Sequence, residues 1–113
     1  MQNERQPDGA MLVMTTASGD QAAAALARAL VEEGLAACVS RVPVVSVYRW
    51  QGRICEEGEV MLVVKTSASR LVEVERRIGE LHDYECPEIL AVAPEHVEAR
   101  YLEWLMSACA SEA

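Results

Sequence analysis

The chain contains no phenylalanine, and aromatic residues make up only 4% of it. A hydrophobic core must therefore be built from Ala, Val, Leu, Ile and Met. No apolar run approaches the roughly 18 residues that span a bilayer, so no membrane partner is expected. Basic residues are scarce: one lysine and nine arginines stand against eighteen acids, for a formal charge of −8. Phosphate backbones repel such a chain, which argues against nucleic acid as a partner, whereas cations are attracted to it. The four cysteines, at 38, 55, 86 and 109, form no CxxC pair, which excludes a zinc ribbon or a thioredoxin-like redox site. Serine-nucleophile, HExxH and Gly-rich phosphate motifs are also missing, so an enzyme is not expected.

What remains is a chain of globular composition. It has 113 residues, 51% of them hydrophobic and 25% charged, enough for one modest core. The first ten residues, MQNERQPDGA, have neither a basic start nor an apolar stretch. They read as a disordered tail before a single domain over 11–113, and a cytoplasmic location is expected.

Met11 to Thr16 is short, apolar and β-prone, the pattern of a buried strand. Ser18 with Gln21 fits a capping box, and apolar residues at 22, 25, 26, 29 and 30 predict a helix that Gly34 stops. Leu35 to Trp50 is Val-rich, with Pro43 marking a bulge or an edge position. Gln51-Gly52 fits a tight hairpin, and β character resumes from Arg53 to Thr66. A second amphipathic helix is expected over Ser67 to Leu81. A fourth strand follows over Glu88 to Ala93, then a short closing helix over Glu98 to Ala108.

The order is βαββαβ plus one helix. That is an α+β, ferredoxin-like arrangement with its helices on one face of a four-stranded sheet. Two features predict self-association. Each hairpin arm of about 15 residues extends for roughly 50 Å, against a diameter of roughly 33 Å for a compact domain of this length. The second sheet face has no cover within one chain.

His82 is the leading candidate metal ligand, since imidazole is a common transition-metal donor and acids surround it at Glu80, Asp83, Glu85 and Glu88. The competing reading is a helix C-cap. Cys86, four residues on, supplies a soft donor for a His82–Cys86 pair. Lys65 either holds an anionic ligand or pairs with an acid such as Glu59 or Glu85. Tyr48, Trp50 and Tyr84 either line a cleft between subunits or serve as interface packing.

Several strings in order, LAACV at 35–39, YRWQGRI at 48–54, Lys65-Thr66, HDYECPEI at 82–89 and YLEWL at 101–105, resemble the CutA family of divalent-cation tolerance proteins. The resemblance runs from Met11 to Met106. It implies a trimer of ferredoxin-like subunits joined through the hairpin arms, with copper as the foremost metal ion. It also implies similarity to the trimeric PII signalling proteins, and hence an alternative role as a signalling or adaptor module with small-ligand clefts between subunits. Some members bind copper through a first-strand cysteine. The matching position here is Thr15, and of the neighbouring histidines only His82 carries over.

Overall fold

The computed structural model describes residues 8–110. Its elements are β1 (Ala10–Ala17), α1 (Asp20–Glu32), β2 (Cys38–Trp50), β3 (Arg53–Ser67), a 3-10 turn (Ala68–Arg70), α2 (Leu71–Leu81), β4 (Leu90–Val92) and α3 (Ala99–Ala108). The strands form one sheet in the order β2-β3-β1-β4, with every neighbouring pair antiparallel. This is the expected α+β, ferredoxin-like fold with a long β2–β3 hairpin and an added C-terminal helix.

Alternation along the strands makes the two sheet faces unlike. Val13, Thr15 and Ala17 pair with Val64, Leu62 and Val60, and all six are buried under the helices. Ala23, Leu26 and Leu30 of α1 and Val74 and Ile78 of α2 complete that core. The intervening residues Leu12, Met14, Met61 and Val63 face the other way and are only half-buried. One sheet face is therefore apolar and uncovered within a single chain.

The ends of α1 show what local chemistry settles and what it does not. Gly34 takes φ +73, and the backbone N–H groups of Gly34 and Leu35 donate to the carbonyls of Val31 and Leu30, a Schellman close that favours glycine. The start differs from expectation. The N-cap is Gly19, no side chain caps the helix, and Ser18 lies one residue outside. The buried stripe also shifts, to 23, 26 and 30. In a segment with alanine at most positions, only Leu26 and Leu30 carry phase information.

The hairpin turns on Gln51 (φ 53) and Gly52 (φ 78), a type I′ geometry that matches the strand twist. Pro43 sits on β2, whose outer edge is free, and it pairs with Val60 without breaking the ladder. The arms stretch the molecule to 47 × 33 × 26 Å with a radius of gyration of 15.3 Å, beyond the roughly 13 Å of a compact domain this long. Towards the tip Val45, Val47 and Ile54 are 69%, 64% and 64% exposed.

Three other boundaries move. The second helix opens as a 3-10 turn before α2 begins at Leu71. β4 is three residues rather than the six expected over 88–93, all three are exposed, and Pro87 and Pro94 flank it. Ahead of β1, Asp8 accepts hydrogen bonds from the N–H (3.0 Å) and hydroxyl (2.8 Å) of Ser69. Residues 8–10 of the expected tail thus contact the domain through Asp8, and residues 1–7 lie outside the described residues.

α3 matches expectation. The Glu98 carboxylate caps it by accepting from the Tyr101 N–H at 3.0 Å, and that bond holds the Glu98 carboxyl below its usual range. Leu105 and Cys109 bury against Ala37, while Tyr101 and Trp104 stay nearly half exposed.

Candidate functional site

The uncovered sheet face ends in a cleft near the hairpin tip. Period-2 alternation puts Tyr48, which pairs with Cys55, on the same face as Glu57 and Glu59. The segment between α2 and β4, residues 82–89, closes the other side.

His82 holds that segment in place. Its N–H closes α2 on the Ile78 carbonyl at 2.9 Å, so it is the C-cap residue. Its Nδ1 accepts from the Tyr84 N–H at 3.0 Å, which leaves the proton on Nε2 to donate to the Thr16 carbonyl at 2.6 Å. The side chain is 2% exposed. Both ring nitrogens are thus committed, and the imidazole bolts the segment to β1.

The tyrosines point carboxylates into the cleft. Tyr48 Oη donates to Glu57 Oε1, and Tyr84 Oη to Glu59 Oε2, each at 2.7 Å. The Glu57 carboxylate pushes the Tyr48 hydroxyl up to about 12. Burial, then the Glu59 carboxylate, pushes the Tyr84 hydroxyl well above the ordinary phenol range.

The resulting cleft has a volume of about 730 Å³. Glu57, Glu59, Asp83, Glu85 and Glu88 line it together with Cys86, and among the described residues no basic side chain does. Tyr48, Trp50 and Tyr84 supply aromatic surface.

Of the residues expected in a ligand site, the fold gathers Tyr48, Trp50, Glu59, Tyr84, Glu85 and Cys86 here. Lys65 lies elsewhere. It is six positions along β3 from Glu59, about 20 Å at ~3.3 Å per residue. Its ammonium donates to Ser40 Oγ at 2.5 Å and lies 3.7 Å from Cys38 Sγ. Neither Glu59 nor Glu85 pairs with it among the described residues, because register sends it to the far end of the ladder. Glu57 was not singled out by sequence reasoning, although its alternation with Glu59 opposite Tyr48 carries the signal.

The expected metal pair is split. Cys86 is exposed on the cleft, whereas the His82 ring faces Thr16 and Tyr84. Thr15 turns into the helix-covered core, fully buried, and its hydroxyl has no hydrogen-bond partner among the described residues. Among the described residues no three His, Cys, Asp or Glu side chains converge on one metal position. One subunit alone therefore does not fit a closed metal centre. It offers a thiol and dispersed carboxylates.

Residues 11–108 match the family model described as CutA1 divalent ion tolerance protein. The divalent-cation tolerance protein CutA of Thermus thermophilus is 42% identical over 95 residues, covering 83% of this chain and 92% of that protein. The human protein CutA is 34% identical over 100 residues, and the chain spans 56% of its length. The structure of CutA from Synechococcus elongatus superposes with a TM-score of 0.88 at 39% identity, covering 90% of this chain and 91% of that one. CutA from Xylella fastidiosa gives 0.87 at 36% identity, covering 89% and 98%. The fold, the hairpin and the order of the motifs therefore agree with one assignment: this chain is a member of the CutA1 divalent ion tolerance family.

Proposed function

We propose that the protein works as a cytosolic homotrimer that binds divalent cations, copper foremost, and serves cation tolerance through binding rather than catalysis. One observation carries this reading: a cleft lined, among the described residues, by five carboxylates, one exposed thiol and no base. Such a lining concentrates cations electrostatically, and the Cys86 thiol favours a soft, thiophilic ion. Among the described residues no three donors meet, so the ligand set is completed across a subunit boundary. The exposed hairpin arms, the uncovered sheet face and the short β4 supply the surfaces for that assembly. All four cysteines are free, which suits a reducing compartment. Among the described residues no helix is long and apolar enough to cross a membrane.

Calorimetric titration of Cu²⁺ into the metal-free protein tests the site. Saturable binding that weakens at least tenfold in Cys86→Ala is expected. Equal affinity in wild type and Cys86→Ala would refute Cys86 as a ligand.

A second reading, a PII-like signalling or adaptor module, is favoured by the cleft's volume. About 730 Å³ lies in the range of small-molecule pockets and far exceeds a bare ion.

A further inference from the structure

We infer that His82 is a proton-operated latch: a second proton on its ring, shared with Asp83, releases Tyr84 and loosens the 82–89 wall of the cleft. The latch lies within one chain and stands whether or not the cleft takes copper. It depends on the unequal duties of the two ring nitrogens. Nε2 points at the Thr16 carbonyl, 2.6 Å away, and a carbonyl can only accept. Nε2 is therefore a donor whether the ring carries one proton or two, and the bond to β1 survives in both forms. Nδ1 differs. It faces the Tyr84 N–H at 3.0 Å, and that group can only donate. The Nδ1 lone pair makes this bond. A proton placed there abolishes it and sets two donors face to face.

The two-proton form has its partner at hand. Asp83 Oδ1 lies 3.6 Å from Nδ1, too far for a hydrogen bond now but within reach after a small turn of the side chain. That side chain is 71% exposed and has no other partner among the described residues. It borders both the cleft and a groove of about 190 Å³ beside α1 and Leu81, so it has room to swing towards the ring.

Among the described residues no other charged group competes for Nδ1. Across the groove α1 presents Ala22, Ala25 and Leu26, and β1 presents Ala17 beside the Thr16 carbonyl. On α2, Glu80 is held by Arg76 and Arg77. The Glu59 carboxylate of β3 reaches the ring only by way of the Tyr84 hydroxyl, whose proton burial and Glu59 hold firmly.

Release of the Tyr84 N–H matters because little else holds the segment. β4 contributes three paired residues, and Pro87 has no N–H to give. The Tyr84 hydroxyl on Glu59 is then the remaining tie to β3. Proton uptake also draws Asp83 out of the cleft lining, so the cleft loses one of its five carboxylates as its wall loosens.

The test uses the full chain in its native assembly, stripped of metal by a chelator and followed by nitrogen-15 NMR. Imidazole ordinarily changes charge between about pH 5 and about pH 8, which sets the range of the titration. Ring spectra report each nitrogen separately, and His96, the one other histidine, serves as the reference. On acidification Nδ1 of His82 should gain a proton while Nε2 keeps its own, and the Tyr84 amide signal should move with the same midpoint. Protection against hydrogen exchange from Tyr84 to Glu88 should fall about tenfold, the equivalent of one lost hydrogen bond. Asp83→Asn breaks no internal bond but cannot neutralise the charged ring, so in that variant the fall in protection should move to lower pH. The latch would be overturned by an Nδ1 that stays unprotonated across the range, by unfolding before the ring takes its proton, by a Tyr84 amide that ignores the ring, or by an Asp83→Asn response identical to wild type. Copper plays no part in these readings, so their failure leaves the metal proposal standing, and the loss of copper binding would leave the latch standing.

Discussion

Tyr84 Oη donates to Glu59 Oε2 at 2.7 Å while the Tyr84 ring lies 4.6 Å from that of His82. Through this one side chain the segment after α2 is tied at once to β3 and, by way of His82, to β1. The segment gains little from the sheet ladder, because β4 contributes only three paired residues. Side-chain bonds therefore set the shape of the cleft wall that carries Glu85, Cys86 and Glu88.

Tyr84→Phe keeps the ring against His82 and removes the hydroxyl. Loss of one partly buried, charge-assisted hydrogen bond should cost about 1–2 kcal/mol. Urea unfolding measures the loss, and hydrogen exchange should speed up over 82–89 in the same variant. Unchanged stability and exchange would show that the bond does not hold the segment.

The tyrosine pair also predicts alkaline behaviour. Both hydroxyls hold their protons more tightly folded than unfolded. Their contribution to stability is complete below the ordinary phenol value of ~10 and is lost as pH rises through the folded values. For Tyr48 that loss extends to about 12. Phenolate absorbance should therefore lag behind that of the denatured chain, and Glu57→Gln should bring Tyr48 back toward the ordinary range. Coincident titration curves would contradict the two bonds.

Thr15 buries a hydroxyl with no partner among core side chains. Thr15→Val preserves the shape and removes the desolvated oxygen. It should raise stability by about 1–2 kcal/mol, read as a higher urea midpoint at unchanged slope. A lower midpoint would mean that the hydroxyl is satisfied in solution.

Sequence legibility followed the range of the interactions. Gly34 and Gln51-Gly52 were readable because a positive φ is a local demand met by few residues. The tip aromatics and Glu59 were readable because a hairpin with a defined turn fixes which residues share a face. The phase of α1 was hidden, since alanine fits either side of a helix. Lys65 could be placed on its strand but not matched to its partners, Ser40 and Cys38, which depend on ladder register across 25 and 27 residues. The C-cap position of His82 was readable from the end of the helix, as found, but the anchor of its ring was the least accessible feature. Its decisive partner is the backbone carbonyl of Thr16, 66 residues away, and a carbonyl leaves no trace in side-chain identity.

The strongest demand of this structure is that its exposed apolar arms, uncovered sheet face and dispersed donors find other subunits. Light scattering coupled to size exclusion at micromolar concentration measures this directly. A folded particle of three times the 12.4 kDa chain mass is predicted. A well-folded 12.4 kDa monomer under the same conditions would contradict it.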